Sequence, residues 1–368
     1  MKTADVAIIG AGVIGACIAE TLARVSRLRI VLLERGTPGC EASNAAAGVL
    51  AVASGQARRG VLLELRRLSA DMFPALVDRL QQEAGIDLGY RREGLISLAF
   101  SEEQAVALRA LVLHRSEQGL RCEMLSPADV MRLEPAVNPQ LQAAALFADD
   151  RTINSEHFVS ALIGAAVRRG VERCDKTAVR GVLPSAGAVT LELDRGRIEA
   201  GVVIVAAGAW SRPLLEPCGV KVPVRPARGE MLAVRPTTWE LRHTLVAGEG
   251  CLVPRTGGEL LIGSTTLFDG FNKQVTATGR ATLRVRAAAM VPRISAAAEL
   301  RSWAGLRPCS TIRRPIIAPL PGMENVILAT GHHRNGILLA PITAQLVAEL
   351  VTGAAPTVFM RPFSYRKR

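Results

Sequence analysis

Apolar positions along this chain follow two periods. Short unbroken runs bounded by Gly, Pro or charged residues read as buried strands, and apolar residues three and four apart read as helices. Val6-Ala7-Ile8-Ile9 is the first unbroken run, and it leads straight into Gly10-Ala11-Gly12-Val13-Ile14-Gly15. Ile14, Ile18, Leu22 and Val25 then recur at helical spacing, and Ile30-Val31-Leu32-Leu33 forms a second strand that ends at Glu34. This pattern predicts a βαβ unit with G-x-G-x-x-G at its first turn and an acid closing its second strand.

Two later stretches repeat the strand-then-turn pattern. Val202-Val203-Ile204-Val205 runs into Ala206-Ala207-Gly208-Ala209-Trp210-Ser211, after a hairpin turn at 195–201 that pairs it with Ala188–Leu193. Asn325–Ala329 reads as a strand and Thr330–Gly336 as a turn. A helix then begins at Ile337, with Leu346, Val347, Leu350 and Val351 on its apolar face. Between these pieces lie a strand at Gly94–Phe100, a helix over about 102–118, and strands at Glu230–Val234, Leu252–Pro254 and Leu260–Gly263. Arg255-Thr256-Gly257-Gly258 is a turn signal between the last two. The predicted fold class is mixed α/β. A discontinuous Rossmann-type domain (1–80, 146–221 and 306–368) interleaves with a smaller one built on a mixed antiparallel sheet (81–145 and 222–305).

Each part of the first turn has a chemical reason. Gly10 permits the tight turn, Gly12 lets the backbone approach a pyrophosphate, and Gly15 lets helix and strand pack closely. The helix N-terminus offers unpaired N–H groups and the positive end of its dipole to the phosphates. Glu34 is placed to accept hydrogen bonds from ribose hydroxyls. The motif does not separate FAD from NAD. The small-residue stretch Glu41–Leu50, with Ser43, Ala46, Ala47 and Gly48, suits close approach of backbone to a flat ring.

Composition narrows the picture. The net charge is +12, and among 45 basic residues only Lys2, Lys176, Lys221, Lys273 and Lys367 are lysine. The arginines are scattered, with pairs such as Arg58-Arg59 and Arg66-Arg67 but no block of five or six. Aromatics are 4% of the chain, so a base-stacking platform is not expected, and no nucleic-acid partner is assigned. The cysteine count, seven, is odd and includes no C-x-x-C pair, which suits reduced thiols in a cytoplasmic protein and argues against a zinc site. The apolar stretches Val6–Ala19 and Ile337–Val351 read as too short or interrupted to span a membrane.

Five stretches together carry a family resemblance. They are Gly10–Gly15 with Glu34, Ala45–Gly48, Ala206–Ser211, Trp303-Ala304-Gly305-Leu306-Arg307-Pro308, and Gly331-His332-His333-Arg334-Asn335-Gly336-Ile337-Leu338-Leu339-Ala340-Pro341. Over essentially its whole length the chain resembles the D-amino-acid oxidase family of flavoproteins, and within it the glycine oxidases associated with thiamine biosynthesis. The resemblance implies non-covalent FAD. Besides Gly10, Gly12, Gly15 and Glu34, the implied cofactor contacts are Val13, Ile14 and Arg35 at the first βαβ unit, and Ser43, Ala46, Ala47 and Gly48 in the small-residue loop. Val179, Ala207, Gly208, Trp210 and Gly305 follow, and then Gly331, His332, Arg334, Asn335, Gly336 and Ile337.

The resemblance further implies that Arg307 binds the substrate carboxylate, with Arg334 as a second arginine near the flavin. Hydride passes from the substrate Cα to flavin N5, and oxygen takes the electrons as peroxide. The implied partners are a small amino acid and oxygen, and a homo-oligomer is expected. His332 and His333 are adjacent, so at most one is expected to face the ring. One position departs from the family: Cys251 stands where glycine oxidases commonly place a tyrosine that donates to the carboxylate. A thiol is a much weaker donor. The alternatives are a flavin dehydrogenase using another acceptor, an RNA-modifying oxidase, or a flavin-holding subunit without turnover of its own.

Overall fold

A computed structural model describes residues 2–55, 60–185 and 187–365. The Arg58-Arg59 pair and Lys367 lie outside them.

The first sheet runs in the order β17 (Ile316–Leu320), β18 (Met323–Thr330), β11 (Arg197–Val205), β1 (Lys2–Ile9), β2 (Ile30–Leu33), β8 (Glu172–Cys174). From β18 to β8 it is parallel. The antiparallel strands β9 (Val179–Ser185) and β10 (Ala188–Leu193) extend from β11. Alternation along β1 sorts its side chains between two cores. Val6 and Ile8 face a helical layer of α1 (Val13–Val25), α2 (Val61–Ala84), α5 (Ser155–Arg168) and α8 (Gly336–Thr352). Ala7 and Ile9 face Val182, Val189 and Leu191 of β9 and β10. Val25, expected on the apolar face of α1, is instead half exposed at the last turn, where the helix leaves the core.

The second sheet runs β16 (Ala298–Ser310), β12 (Val224–Arg235), β15 (Leu260–Gly263), β14 (Gly250–Pro254), β13 (Thr244–Ala247), β4 (Leu95–Ala99), β6 (Ala143–Phe147), β5 (Cys122–Leu125). Its pairs are antiparallel except β13 with β4. Helix α7 (Ala277–Met290) packs on it through Leu283, Ala287 and Met290. Helix α3 (Glu102–Glu117) is capped by Ser101, and α4 (Pro127–Leu133) by a Ser126–Asp129 capping box. Short α6 (Ser211–Leu215) follows Trp210, and β3 (Val49–Leu50) pairs with β7 (Arg151–Thr152). The expected boundaries at 145 and 305 fall inside β6 and β16. Ladder hydrogen bonds keep each of these strands whole within the second sheet.

Helix α8 contains Pro341, which removes one amide from its ladder. Beside it, Ser69 of α2 donates to Leu338 O at 2.6 Å and accepts from Ile342 N–H at 3.3 Å. One hydroxyl thus ties α2 to the start of α8. His333–Thr352 is apolar over 20 residues, long enough to cross a bilayer by length and composition. The stretch is longer than Ile337–Val351 because the turn at His333–Asn335 joins the helix. In the fold the stretch packs against α1 and α2.

Candidate active site

The carboxyl ends of β1, β2, β11 and β18 open onto one cavity of about 900 Å³, which extends across the second sheet. In an open parallel sheet this is the edge where ligands bind. Local chemistry at the first turn follows from its glycines. Gly10 has φ +104°, and a Cβ there would stand 2.7 Å from Ala206 O. A Cβ on Gly15 would overlap Gly10 O, so Gly15 serves helix–strand contact and does not line the cavity. Gly331 (φ +80°) is likewise outside the lining, set against Ser310 as a turn residue. All the other expected contacts line the cavity: Gly10, Gly12, Val13, Ile14, Glu34, Arg35, Ser43, Ala46, Ala47, Gly48, Val179, Ala207, Gly208, Trp210, Cys251, Gly305, Arg307, His332, Arg334, Asn335, Gly336 and Ile337.

The start of α1 is partly capped from within. Ser43 Oγ accepts from Val13 N–H at 2.9 Å, which leaves the hydroxyl hydrogen free to donate to an anion. Ala16 N–H, bonded to Gly12 O, is the first of these amides inside the helical ladder. Gly12 and Ile14 border the cavity ahead of it. The Glu34 carboxylate accepts from Ala11 N–H (3.0 Å) and Gly36 N–H (2.9 Å), which fixes it at the end of β2 with lone pairs to spare for hydroxyls. Arg35 lies 3.8 Å over the Trp210 ring and pairs with Glu41 at 2.8 Å. These donors, the acid and the glycine cradle fit a dinucleotide with a flat ring.

Motifs far apart in sequence meet at the other end. An isolated bridge pairs Cys309 with His332, bringing the end of β16 against the turn after β18. Arg307 on β16 faces Ala227 in register, and its guanidinium lies where a Cβ on Gly229 would stand. It donates to Ser264 Oγ at 2.7 Å and to Thr265 O at 3.2 Å. Among the described residues no carboxylate pairs with it. Burial, and then Arg334, pull it down to about 10, so it remains a cation at neutral pH. Arg334 is exposed, lines the cavity and donates to Thr266 Oγ1 at 2.8 Å. The Cys251 thiol is pushed up by burial and is neutral there. Neither tyrosine lines the cavity: Tyr90 stacks on Phe73 and the Tyr365 hydroxyl donates to Lys221 O.

Both histidines contribute to the cavity wall. His333 adopts φ +51°, which turns the backbone between them. Burial pulls His332 to about 3 and His333 to about 4, so both rings are neutral. His332 Nε2 is 3.0 Å from Thr343 Oγ1.

Several residues in or beside the wall had no sequence signal. Ser264 and Gly229 matter only through the strand pairing that sets them against Arg307. Arg255 was legible only as part of a turn, yet its guanidinium reaches Ile153 O (2.8 Å) and Ala47 O (3.0 Å) and pins the small-residue loop. Arg66, buried on α2, also lines the cavity.

A family model described as FAD dependent oxidoreductase matches residues 5–350. A protein named glycine oxidase from Geobacillus kaustophilus is 35% identical over 362 residues, covering 98% of this chain and 96% of that protein. One of the same name from Pseudomonas aeruginosa is 32% identical over 361 residues, covering 98% of each. A crystal structure of glycine oxidase from Geobacillus kaustophilus superposes with a TM-score of 0.97 at 34% identity, covering 100% of both chains. With the glycine cradle, Glu34 and the α8 turn arranged around one cavity, the chain belongs to the FAD-dependent oxidoreductase family, and FAD is its cofactor.

Proposed function

We propose that the protein oxidises a small amino acid, with glycine, sarcosine and small D-amino acids as first candidates, to the imino acid and so to keto acid and ammonia. The observation that carries this is Arg307: a half-buried cation in the cavity wall, without a carboxylate partner among the described residues. A planar guanidinium held by Ser264 and Thr265 still has N–H groups to give, and a substrate carboxylate matches them in shape and charge. FAD, when bound, accepts hydride from the substrate Cα and passes the electrons to oxygen. In sum, a primary amino acid, oxygen and water give keto acid, ammonia and hydrogen peroxide, and sarcosine gives methylamine in place of ammonia.

The chain's part in this is positional. Arg307 anchors the carboxylate and so orients Cα, while the small loop pinned by Arg255 shapes the facing wall. The start of α8 presents its positive dipole end to the cavity and favours negative charge there. The neutral rings of His332 and His333 add no second cation beside Arg307. The first sheet with its helices is read as the cofactor domain, and the second sheet as the substrate domain. A cytoplasmic location is supported by seven free cysteines. A homo-oligomer is supported by exposed Leu267, Phe268 and Phe271 in one loop, and sedimentation velocity tests it.

The test is anaerobic flavin reduction by glycine, sarcosine, D-alanine and D-proline, followed by admission of air. Bleaching with rapid reoxidation and peroxide is the expected result. Bleaching with slow reoxidation would make the protein a dehydrogenase. No bleaching in FAD-loaded protein would overturn the proposal.

A further inference from the structure

Helix α2 carries a guanidinium that the reading above leaves unused. Arg66 is 5% exposed, and among the described residues its Nε and Nη1 have no hydrogen-bond partner. It lines the same cavity as Arg307. The segment after β3 crosses directly over it: a Cβ on Gly55 would overlap Arg66 Nη1. Each charged neighbour of this segment is already engaged. Arg115 donates to Ala53 O (2.7 Å) and Gly55 O (2.6 Å). Asp150, fully buried, accepts from Ala53 N–H (2.7 Å) and Ser54 N–H (3.1 Å). Asp150 therefore serves backbone amides and forms no ion pair with Arg66 among the described residues.

Among the described residues around this segment, two guanidiniums stand against one acid, an excess of positive charge. Burial, and then Arg115, pull Arg66 down to about 10, which leaves it cationic at neutral pH. A buried cation without a partner is costly, and an anion supplied by a ligand removes that cost. Ser69, one turn further along α2, is bonded to Leu338 O and Ile342 N–H. Arg66 lies one turn before Ser69 on the same helix and shares the cavity wall with Arg334.

We propose that Arg66 forms a second anion subsite, so that the preferred substrates are amino acids bearing a second carboxylate besides the one held at Arg307. This rests on the amino-acid oxidase reading and deepens it. The second carboxylate is carried either on the amine nitrogen or on the Cα side chain.

The experiment compares kcat/KM for iminodiacetate against sarcosine and for D-aspartate against D-alanine, in wild type, Arg66→Met and Arg66→Lys. In at least one pair the dicarboxylate-to-monocarboxylate ratio should fall tenfold or more in Arg66→Met and recover in part in Arg66→Lys. The pair that responds shows which side of the substrate carries the second carboxylate. Ratios unchanged within twofold in both pairs would overturn the proposal. A second readout needs no variant: perturbation of the flavin spectrum by malonate and by acetate in the wild-type holoenzyme. Malonate binding at least tenfold tighter supports the subsite, and equal affinities sink it. Reduction of the flavin by sarcosine or D-alanine in the same preparations keeps the two ideas apart. If it occurs while the Arg66 arms fail, only the subsite falls.

Discussion

Arg307 and Gly229 share one space: the guanidinium of the first lies where the Cβ of any other residue at the second would project. The missing side chain on β12 lets Arg307 reach across to Ser264 and Thr265 beyond β15. Gly229→Ala should therefore displace the guanidinium without touching the cofactor cradle. We expect kcat/KM for glycine to fall about tenfold to a hundredfold, mainly through KM, with FAD content preserved. Arg307→Lys should cost more, about a thousandfold, because an ammonium cannot make the paired contact. Steady-state kinetics on FAD-loaded protein checks both. A Gly229→Ala enzyme with wild-type KM would show that the carboxylate binds elsewhere.

Cys251 offers the reverse experiment. Its neutral thiol sits in the cavity wall near Arg307 but is a poor donor. Cys251→Tyr should add one hydrogen bond to a carboxylate, worth about 1 kcal/mol, and lower KM for glycine by about threefold to tenfold. An unchanged or higher KM would mean that the phenol has no room at this strand or that the carboxylate lies out of its reach.

Gly305 sits against Ala45, and a Cβ on it would overlap the Ala45 methyl. Gly305→Ala should push the small-residue loop off β16 and weaken FAD binding by about tenfold or more, as for an overpacked contact of 1–3 kcal/mol. Adding Ala45→Gly should restore much of the loss. Fluorescence titration of the apoprotein with FAD measures both. Failure of the double variant to recover would show that the steric account is wrong.

Ser69 bonds Leu338 O and Ile342 N–H of α8, on either side of Pro341. Ser69→Ala should destabilise the protein by about 1–3 kcal/mol, since it removes two buried hydrogen bonds between α2 and α8. Thermal melts of the holoprotein should show a drop of several degrees. Ser69→Cys, which keeps a weak donor, should fall between. A melt identical to wild type would mean that water fills the gap.

His332 makes stability depend on pH. Its folded value, about 3, lies below the ordinary 6.5, so the unfolded chain takes up a proton that the folded one refuses. Its contribution is complete above pH 6.5 and is lost progressively as pH falls from 6.5 toward 3. His332→Gln should flatten the wild-type decline across that window, read by chemical denaturation at several pH values. Parallel curves for the two proteins would remove His332 as the cause.

The local steps of the fold were legible along the chain. The run Val6–Ile9, the glycines from 10 to 15 and Ile30–Glu34 specify β1, the turn, α1 and β2 through unbroken apolarity, helical period and glycine geometry, all of them short-range effects. The strand ending at Ala206 and the turn before α8 were legible for the same reason, and family likeness singled out Arg307 as the expected carboxylate ligand. Tertiary structure decided what those pieces do together. Only the pairing of β16 with β12 shows that Gly229 makes room for Arg307, and only the path of β15 sets Ser264 beside it. Arg66 and Arg255 looked like two among many scattered arginines. Burial against the cavity sets Arg66 apart and bonds to Ile153 O and Ala47 O set Arg255 apart, and both depend on distant residues brought together, which no local period records.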